Sequence, residues 1–540
     1  MHKIKKYMMV GLASVLVTSS IAPMATAAAK TKPINWTLAA DLVTLDPSLA
    51  NDITSGQIIT QTGQALYRYS ADGKPELADA KKVKVAKDGL TWTFTLKSGL
   101  KWSDGTPVEA SDYVYAWRRT LDPKNASTVD AIAYNIVNAA KVKTGEITDL
   151  TKLGIEAPDA KTLVVHLTSP IPMLPSVITA MGFYPQNEAF AKKVGTKFGT
   201  AAQYTCSNGP FILKDWNGSS TSFKLVKNPQ YIDAKKVKTK TINFQTVVES
   251  NAVYNLYKAG KADFVKLDAD QVKQEQKSKA YHQIKTARTN YLTIAQRNKT
   301  LKNVKLHQAL QYAINKKVLA NKILSGSAIP STTFTPSGLI KDPNTGKDFS
   351  VAAKTAYTKY SPAKAKAAWK QAKKELGIKK LHLQLLTDND DINKKVGQYI
   401  QSQLQDTLPG FTIEMKSQPK AARIKKMLAY DYDLIVSGWA GTTTDPTSFI
   451  GVFQTGEAMN FADWSNQQFD ADLKAAQTTD VLKPKVRMQK LIAAEKLLQK
   501  DAPVITLYYE STPALIRTNI KGLQINQTGA TFDFTTAVKK

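Results

Sequence analysis

The sequence has very few of the side chains on which enzymes and metal sites depend. Cys206 is the only cysteine in 540 residues, which excludes an intramolecular disulfide. The five histidines stand alone, and we find no nucleophile elbow, HExxH motif, glycine-rich phosphate loop or paired-cysteine motif. We therefore predict that the chain is not an enzyme and has no metal or cofactor. Carboxylates distant in sequence can still pair, so catalysis stays open as the last alternative.

Arginine is also scarce, although the chain is strongly basic. Lys and Arg together number 74 against 44 Asp and Glu, a net charge of +30, and only eight of the basic residues are arginine. Nucleic-acid-binding proteins concentrate their charge on one face and use arginine for bidentate contacts, so the scattered lysines predict no nucleic-acid partner. Two interpretations of the charge remain. It attracts the protein to anionic cell-wall polymers, or it only keeps the protein soluble.

Long apolar runs are absent beyond the N-terminal segment, so no membrane-spanning helix is predicted there. The N-terminal segment has lysines within residues 3–6, an apolar run over residues 8–17 and the small residues Ala25-Thr26-Ala27, the three parts of a secretory signal. We predict cleavage after Ala27, with Ala29 as the alternative. No cysteine at this junction could carry a lipid anchor. The mature protein is expected to be exported, either extracellular or associated with the cell surface.

The most informative stretch is YDLIVSGWAGTTTDPTSF, residues 432–449, which changes from a short apolar run into turn-forming residues. Leu434–Val436 has the pattern of a buried strand. Ligands of open α/β sheets bind beyond the carboxyl ends of strands, and glycines such as Gly438 and Gly441 let a ligand backbone come close. The stretch therefore predicts a binding edge after Val436. An ordinary strand followed by a surface loop is the alternative.

A similar change from an apolar run to polar residues occurs between residues 34 and 53, so the two stretches are predicted to form two walls of one cleft.

Alternation over residues 92–96 and Asp-Gly turns indicate a β-rich block, and strand–helix alternation beyond residue 289 indicates an α/β lobe with a parallel sheet. The predicted division is a signal peptide (1–27), lobe 1 in three parts (28–64, 184–288 and 507–540), an extra β-rich domain (65–183) and lobe 2 (289–506).

Several motifs together resemble one known family. They are LDP at Leu45, WTFTLKSGLKWSDGTPVEASDYVYAWRRTLDP beginning at Trp92, SNGPF at Ser207, the helix pattern of residues 301–319, GWAGTTTDPTSF at Gly438, and VITLYY at Val504. The chain resembles the extracellular oligopeptide-binding proteins of peptide ABC transporters, which are family 5 bacterial solute-binding proteins. The resemblance implies an α/β, two-lobed periplasmic-binding-protein-like fold of type II, with an extra β-rich domain and a hinge around a ligand cleft.

The resemblance also implies which residues bind the ligand. In the family an extended peptide pairs through its backbone with two segments, which correspond here to Asn51, Asp52 and Ile53, and to Trp439, Ala440 and Gly441. Main-chain pairing tolerates many sequences, and wet pockets tolerate many side chains.

Two positions depart from the family pattern. The aspartate that pairs with the peptide's amino terminus in well-known members corresponds to Thr442, and an arginine found in some members corresponds to Val436. A hydroxyl does not replace a charge-assisted contact. Asp52 or Asp445 is the candidate for the missing carboxylate. Otherwise the ligand is blocked, longer, or has no amino end.

We therefore predict the solute-binding component of an ABC importer, a monomer that captures extended oligopeptides between two lobes and delivers them to a membrane permease. One alternative keeps the fold and changes the cargo to a blocked peptide or another small solute. A second alternative is a basic protein attached to the cell wall. Attachment can coexist with capture, because capture uses the cleft and attachment uses the outer surface.

Overall fold

The computed structural model describes residues 31–128 and 135–540. The predicted signal peptide, residues 1–27, lies outside the described residues. Within the described residues, no helix is both long enough and apolar enough to cross a membrane. The elements before residue 184 are, in chain order, β1 (Ile34–Leu38), α1 (Ile53–Thr62), β2 (Tyr67–Tyr69), β3 (Pro75–Leu77), β4 (Ala80–Val85), β5 (Thr91–Leu96), α2 (Ala110–Leu121), α3 (Ala139–Lys143), β6 (Ile155–Asp159), β7 (Thr162–His166) and α4 (Leu174–Val177).

The middle of the chain continues with α5 (Glu188–Val194), β8 (Phe211–Lys214), β9 (Ser222–Lys227), β10 (Thr241–Thr246), α6 (Ser250–Lys258), β11 (Phe264–Lys266), α7 (Ala269–Glu275) and β12 (Tyr281–Ile294). The remaining elements are α8 (Val304–Ala313), α9 (Lys316–Val318), β13 (Ala328–Pro330), α10 (Phe349–Ala352), α11 (Pro362–Leu376), β14 (Leu381–Asp388), α12 (Asp391–Thr407), β15 (Phe411–Gln418), α13 (Lys420–Leu428), β16 (Leu434–Ala440), α14 (Thr447–Ile450), α15 (Gln467–Gln477), α16 (Pro484–Asp501), β17 (Val504–Ile516), β18 (Ile520–Lys521), β19 (Gln524–Ile525), β20 (Phe532–Asp533) and β21 (Val538–Lys539).

The β-rich block has its own core, which extends from Leu66 to Phe183. Its antiparallel sheet has the order β4-β5-β7-β6. Trp92, Phe94 and Leu96 point inward from β5 because side chains alternate between the two faces of a strand. Helix α2 covers this face. Its N-cap is Glu109, whose backbone N–H donates to the Asp112 carboxylate at 3.0 Å.

Lobe 1 is built around a second core, which combines β1, α1, the strands β8–β10 and the C-terminal residues. Its sheet has the order β1-β10-β9-β8, with β1 parallel to β10. The C-terminal residues are bound to α1: the Gln57 side chain donates to Phe532 O, and Phe532 and Phe534 donate their N–H groups to the Gln57 and Gln61 side chains. Helix α1 and the C-terminal residues, which are far apart in the sequence, are therefore held together in lobe 1.

Lobe 2 contains a seven-stranded sheet with the order β11-β17-β12-β16-β14-β15, and β13 pairs with β17. The sequence predicted a parallel sheet, and this holds only for β14 with its neighbours β15 and β16. Strand β12 is antiparallel to both β16 and β17. The prediction failed because β12 and β17 lie outside the regular strand–helix alternation on which it depended.

Strands β12 and β17 connect the two lobes. On β12, Ile284 lies in the core of lobe 1 and Leu292 in the core of lobe 2; on β17, Ile516 and Ile505 are divided in the same way. Their pairing is interrupted between the pairs Lys285–Ser511 and Thr289–Tyr509, where residues 286–288 oppose Glu510 alone. Such a bulge locally disrupts the ladder and bends the strand, so it is the natural place for a hinge. The predicted domain boundaries stay a prediction.

Candidate functional site

Strand β16 has one backbone edge that is mostly unpaired. All seven of its residues pair with β12, but only Leu434 and Ile435 pair with β14. Gly441 N donates to Ala287 O and Ala295 N donates to Asp433 O, so the odd-numbered residues of β16 point their backbone groups toward β12. Because backbone groups alternate in direction along an antiparallel strand, those of Gly438 and Ala440 point away from β12. They form a free edge that can accept another strand.

Arg423 bridges β14 and β16 where their pairing ends. The last pair is Leu386–Ile435. Just beyond it, the buried Arg423 of α13 donates from Nε to Asp388 Oδ1 at 2.7 Å and from Nη1 to Ser437 Oγ at 3.3 Å. Beyond Ile435, the backbone of β16 has no strand partner on this side among the described residues.

The turn after β16 is held by a buried ion pair. Arg487 of α16 binds both carboxylate oxygens of Asp445, at 2.7 and 2.9 Å. Burial alone would raise the pKa of Asp445, but the Arg487 guanidinium and the Thr447 hydroxyl more than offset this and hold it below its ordinary value. The Asp445 carboxylate is therefore occupied within the protein. It does not supply the charge that is missing at Thr442.

The other residues of this turn are close to the free edge. Thr442 is exposed, and its N–H donates to Ser448 Oγ at 2.8 Å. The Trp439 indole donates to Ser448 O at 2.8 Å, which fixes the ring beside the strand. At Gly441 a β-carbon would lie only 2.2 Å from the buried ring of Phe449, so only glycine fits. The turn is thus fixed by packing while the strand edge stays open.

The Arg288 guanidinium lies over Gly438 and is paired with Glu510. Arg288 of β12 and Glu510 of β17 form an ion pair with 3.0 Å between Nε and Oε2, and their side chains are 39% and 49% exposed. A β-carbon on Gly438 would lie 2.6 Å from Arg288 Nη2 and 2.9 Å from Asn290 Oδ1. Sequence reasoning missed these residues. No local pattern could have found them, because the pair joins strands that are distant in the chain.

The predicted residues of lobe 1 lie at the start of α1. Asp52 is the N-cap, and its Oδ1 accepts from Ser55 N at 2.8 Å, so this carboxylate has a structural role as well. Asn51 is exposed and donates to Thr128 Oγ1, and Ile53 is 87% exposed. No hydrogen bond joins Asn51–Ile53 to Trp439–Asp445 among those recorded for the described residues. That these segments form two walls of one site stays a prediction.

The described residues contain no cluster of three or more His, Cys, Asp or Glu side chains that could hold a metal ion. Burial raises the pKa of the Cys206 thiol to about 12, which makes this cysteine a poor nucleophile.

Comparisons with known proteins agree with this geometry. The sequence profile of the bacterial extracellular solute-binding proteins, family 5 (middle region), matches residues 73–461. The Dipeptide-binding protein of Lactococcus lactis subsp. cremoris is 34% identical over 553 residues, which cover 99% of this chain and 100% of that protein. Among solved structures, Listeria monocytogenes OppA bound to peptide is 32% identical with a TM-score of 0.69, covering 94% of this chain and 99% of that one.

A further structure supports the fold alone. The unliganded open form of the periplasmic murein tripeptide binding protein MppA is 24% identical and has a TM-score of 0.85, with coverage of 95% of this chain and 98% of that one. The fold is that of the type II periplasmic binding proteins, as predicted. By its sequence profile and its relatives, the chain belongs to the family 5 bacterial extracellular solute-binding proteins.

Proposed function

We propose that the protein captures extended oligopeptides between its two lobes and delivers them to the permease of an ABC importer. The observation that carries this proposal is the free edge of β16 at Gly438 and Ala440, next to a hinge formed by two crossing strands. An extended peptide adds to such an edge as a further strand, and its main chain supplies the affinity whatever its sequence. Relatives named for dipeptides, and an OppA bound to peptide, support this choice of cargo.

Asn51–Ile53 form the opposite wall in this proposal. Val43, Leu49 and Ile53 are exposed apolar side chains in the loop before α1 and at its first residue. Closure of the lobes over a peptide would bury apolar surface of this kind, which is favourable. The protein acts outside the membrane as a monomer, performs no catalysis and passes its cargo on unchanged.

Mass spectrometry of the molecules released when the purified protein is denatured tests the proposal. We expect a mixture of peptides that differ in sequence and share a narrow range of lengths, because backbone pairing selects for length more than for side chains. Release of a single non-peptide compound would refute peptide capture. Release of peptides with blocked amino ends only would favour the alternative that Thr442 suggests, since Thr442 cannot pair with a charged amine as a carboxylate does.

The cell-wall role is a second candidate, favoured by the charge. Most of the excess of positive charge comes from lysines, many of them exposed, as on β4 and α11. Their attraction to anionic wall polymers would hold the secreted protein near its permease without a lipid anchor. Capture and attachment then use different surfaces of one molecule.

A further inference from the structure

We propose that Arg288 forms a carboxylate-binding site above Gly438, which receives an anionic group of the cargo. This inference rests on the proposed function, because it takes the cargo to lie along the free edge of β16. A charged side chain in this place would distinguish peptides that main-chain pairing alone binds equally well.

Glycine at position 438 is what gives the guanidinium its place. A β-carbon there would meet Arg288 Nη2 at 2.6 Å and Nε at 2.9 Å, distances that real side chains do not adopt. Gly438 also points its own backbone groups to the free edge. The Arg288 guanidinium therefore lies next to the Gly438 backbone groups that are proposed to bind the ligand.

The order of the strands directs the free side of the guanidinium toward the cargo. Strand β12 lies between β17 and β16, so Glu510 holds Arg288 Nε from the side of β17, away from the free edge. The Nη groups have no hydrogen-bond acceptor among the side chains and backbone of residues 31–128 and 135–540. A planar guanidinium in this state can donate two parallel hydrogen bonds to a carboxylate.

Asn290 bounds the site on one side. It lies two residues from Arg288 on the same face of β12, opposite Gly438. Its Oδ1 lies over Gly438, whereas its Nδ2 is buried without a hydrogen-bond partner among the described residues. Arg288 alone therefore supplies the donors of this site.

No other nearby group competes for this role. Val436, two residues before Gly438, carries no charge, and the Arg423 guanidinium already binds Asp388. The anionic group is a carboxylate, either the carboxyl terminus of the peptide or an Asp or Glu side chain. These two sources share one chemistry, and the experiment separates them.

The test uses two pools of mixed-sequence peptides of about three to eight residues, one with free carboxyl termini and one with amidated termini. The full-length protein is incubated with both, and the retained peptides are identified by mass. We expect about tenfold enrichment of free acids over neutral amides, as one charge-assisted contact provides. Equal retention of amides that contain Asp or Glu would identify the side chain as the source.

Variants separate the carboxylate site from general charge. Arg288→Gln is expected to abolish the enrichment of free acids over neutral amides, whereas Glu510→Gln keeps or increases this enrichment by removing the carboxylate that competes for Arg288. Lys285→Gln, which removes the same charge from an exposed position on β12, should leave the enrichment intact. Thermal unfolding of each variant checks that it folds.

Three outcomes would overturn the inference, and they differ. If the unmodified protein retains acids and neutral amides equally, peptide capture stands and the carboxylate site does not exist. If Arg288→Gln reduces the retention of free-acid and amidated peptides to the same extent, Arg288 only shapes the strand edge or the hinge. If no peptide is retained from either pool, the proposed function fails first, and the carboxylate site fails with it.

Discussion

Arginine has a narrow structural use in this protein, in contrast to lysine. Arg68, Arg119, Arg423 and Arg487 each bind an aspartate with a largely buried guanidinium. Lysine covers the surface, where its ion pairs are exposed and weak. The scarcity of arginine in the sequence therefore reflects a small set of fixed internal contacts, and Arg288 differs from this set because its pair is half open to solvent.

The Asp445–Arg487 pair should contribute strongly to stability. Arg487→Met leaves a buried carboxylate without its partner, and we expect a loss of about 3–5 kcal/mol in the free energy of unfolding. Urea denaturation measures it. Lys483→Met, which removes the exposed pair with Asp480 at the start of the same helix, should cost less than about 1 kcal/mol. Similar losses in both variants would mean that the buried pair has no special role.

Asp79 predicts a pH dependence of stability. It is fully buried and accepts hydrogen bonds from Gln64 Nε2, Tyr113 Oη and Asn208 Nδ2, which come from both sides of the joint between lobe 1 and the β-rich block. Burial raises its pKa from 3.8 to about 7 in spite of these donors. Between these values the folded protein keeps a proton that the unfolded chain has released, so rising pH favours unfolding.

Comparison with Asp79→Asn isolates this contribution, because asparagine does not titrate. The free energy of unfolding of the unmodified protein, relative to the variant, should fall as the pH rises from about 4 to about 7 and then level off. Denaturant titrations at pH 4.5, 6 and 8 measure this difference. A difference that does not change with pH would mean that Asp79 has an ordinary pKa in the folded protein.

Among the elements, those governed by local signals could be predicted from the sequence. Ser361 caps α11 immediately before Pro362, Gly377 ends it in a left-handed conformation, and Asp390 caps α12; each is a residue type that favours such a position. The apolar spacing of residues 304–324 favours a single helix, but the structure interrupts it. Ile314 is extended and Asn315 caps a new turn, because the Lys316 ammonium is buried against Thr506 of β17.

The geometry of the binding edge could be predicted only in part. The sequence predicted a strand over Leu434–Val436 and a binding edge after Val436. The strand continues through Gly438 to Ala440, so its start was predicted correctly and its end was not. The Arg423 bridge between Asp388 and Ser437 and the Arg288–Glu510 pair depend on side chains that meet only after the sheet has formed. Asp445 also lies beside the edge, yet its carboxylate is bound to Arg487, and this contact leaves no local trace in the sequence.

If the cargo pairs with the free edge of β16, the backbone N–H of Ala440 contributes to its affinity. In Ala440→Pro the strand loses a donor that points away from β12, and the ladder with β12 stays intact because proline is tolerated at such positions. We expect peptide affinity to fall about threefold to tenfold, measured by calorimetry. Ala440→Ser, which keeps the N–H, should bind normally. If the proline variant binds as tightly as the serine variant, the cargo does not pair with this edge.

For the whole molecule, two crossing strands and exposed apolar side chains on lobe 1 predict closure on binding. The bulge at residues 286–288 interrupts the pairing of β12 with β17 between the two lobes, and a strand bends at such a bulge. Small-angle X-ray scattering should record a smaller radius of gyration after addition of a retained peptide, and Ala440→Pro should need more peptide for the same change. An unchanged radius at saturation would exclude closure of the lobes.

The net charge predicts how the protein associates with cell walls. Isolated wall fragments rich in anionic polymer should retain it at low salt, and about 1 M salt should release it, because the screening length then falls to about 3 Å. Binding of a peptide should be far less sensitive to salt, since main-chain hydrogen bonds supply most of it. Retention on the walls at high salt would argue against attachment through charge.

The two extremes of the described chain are neighbours on lobe 1. Lys32 forms a β-bridge with Lys539, and the backbone of Lys540 donates to Asn519. A short linker could therefore join them, and new ends could be opened at the exposed turn around Gly456 of lobe 2. A circular permutant of this kind, carrying a fluorescent protein at the new ends, would turn capture of a cargo into an optical signal.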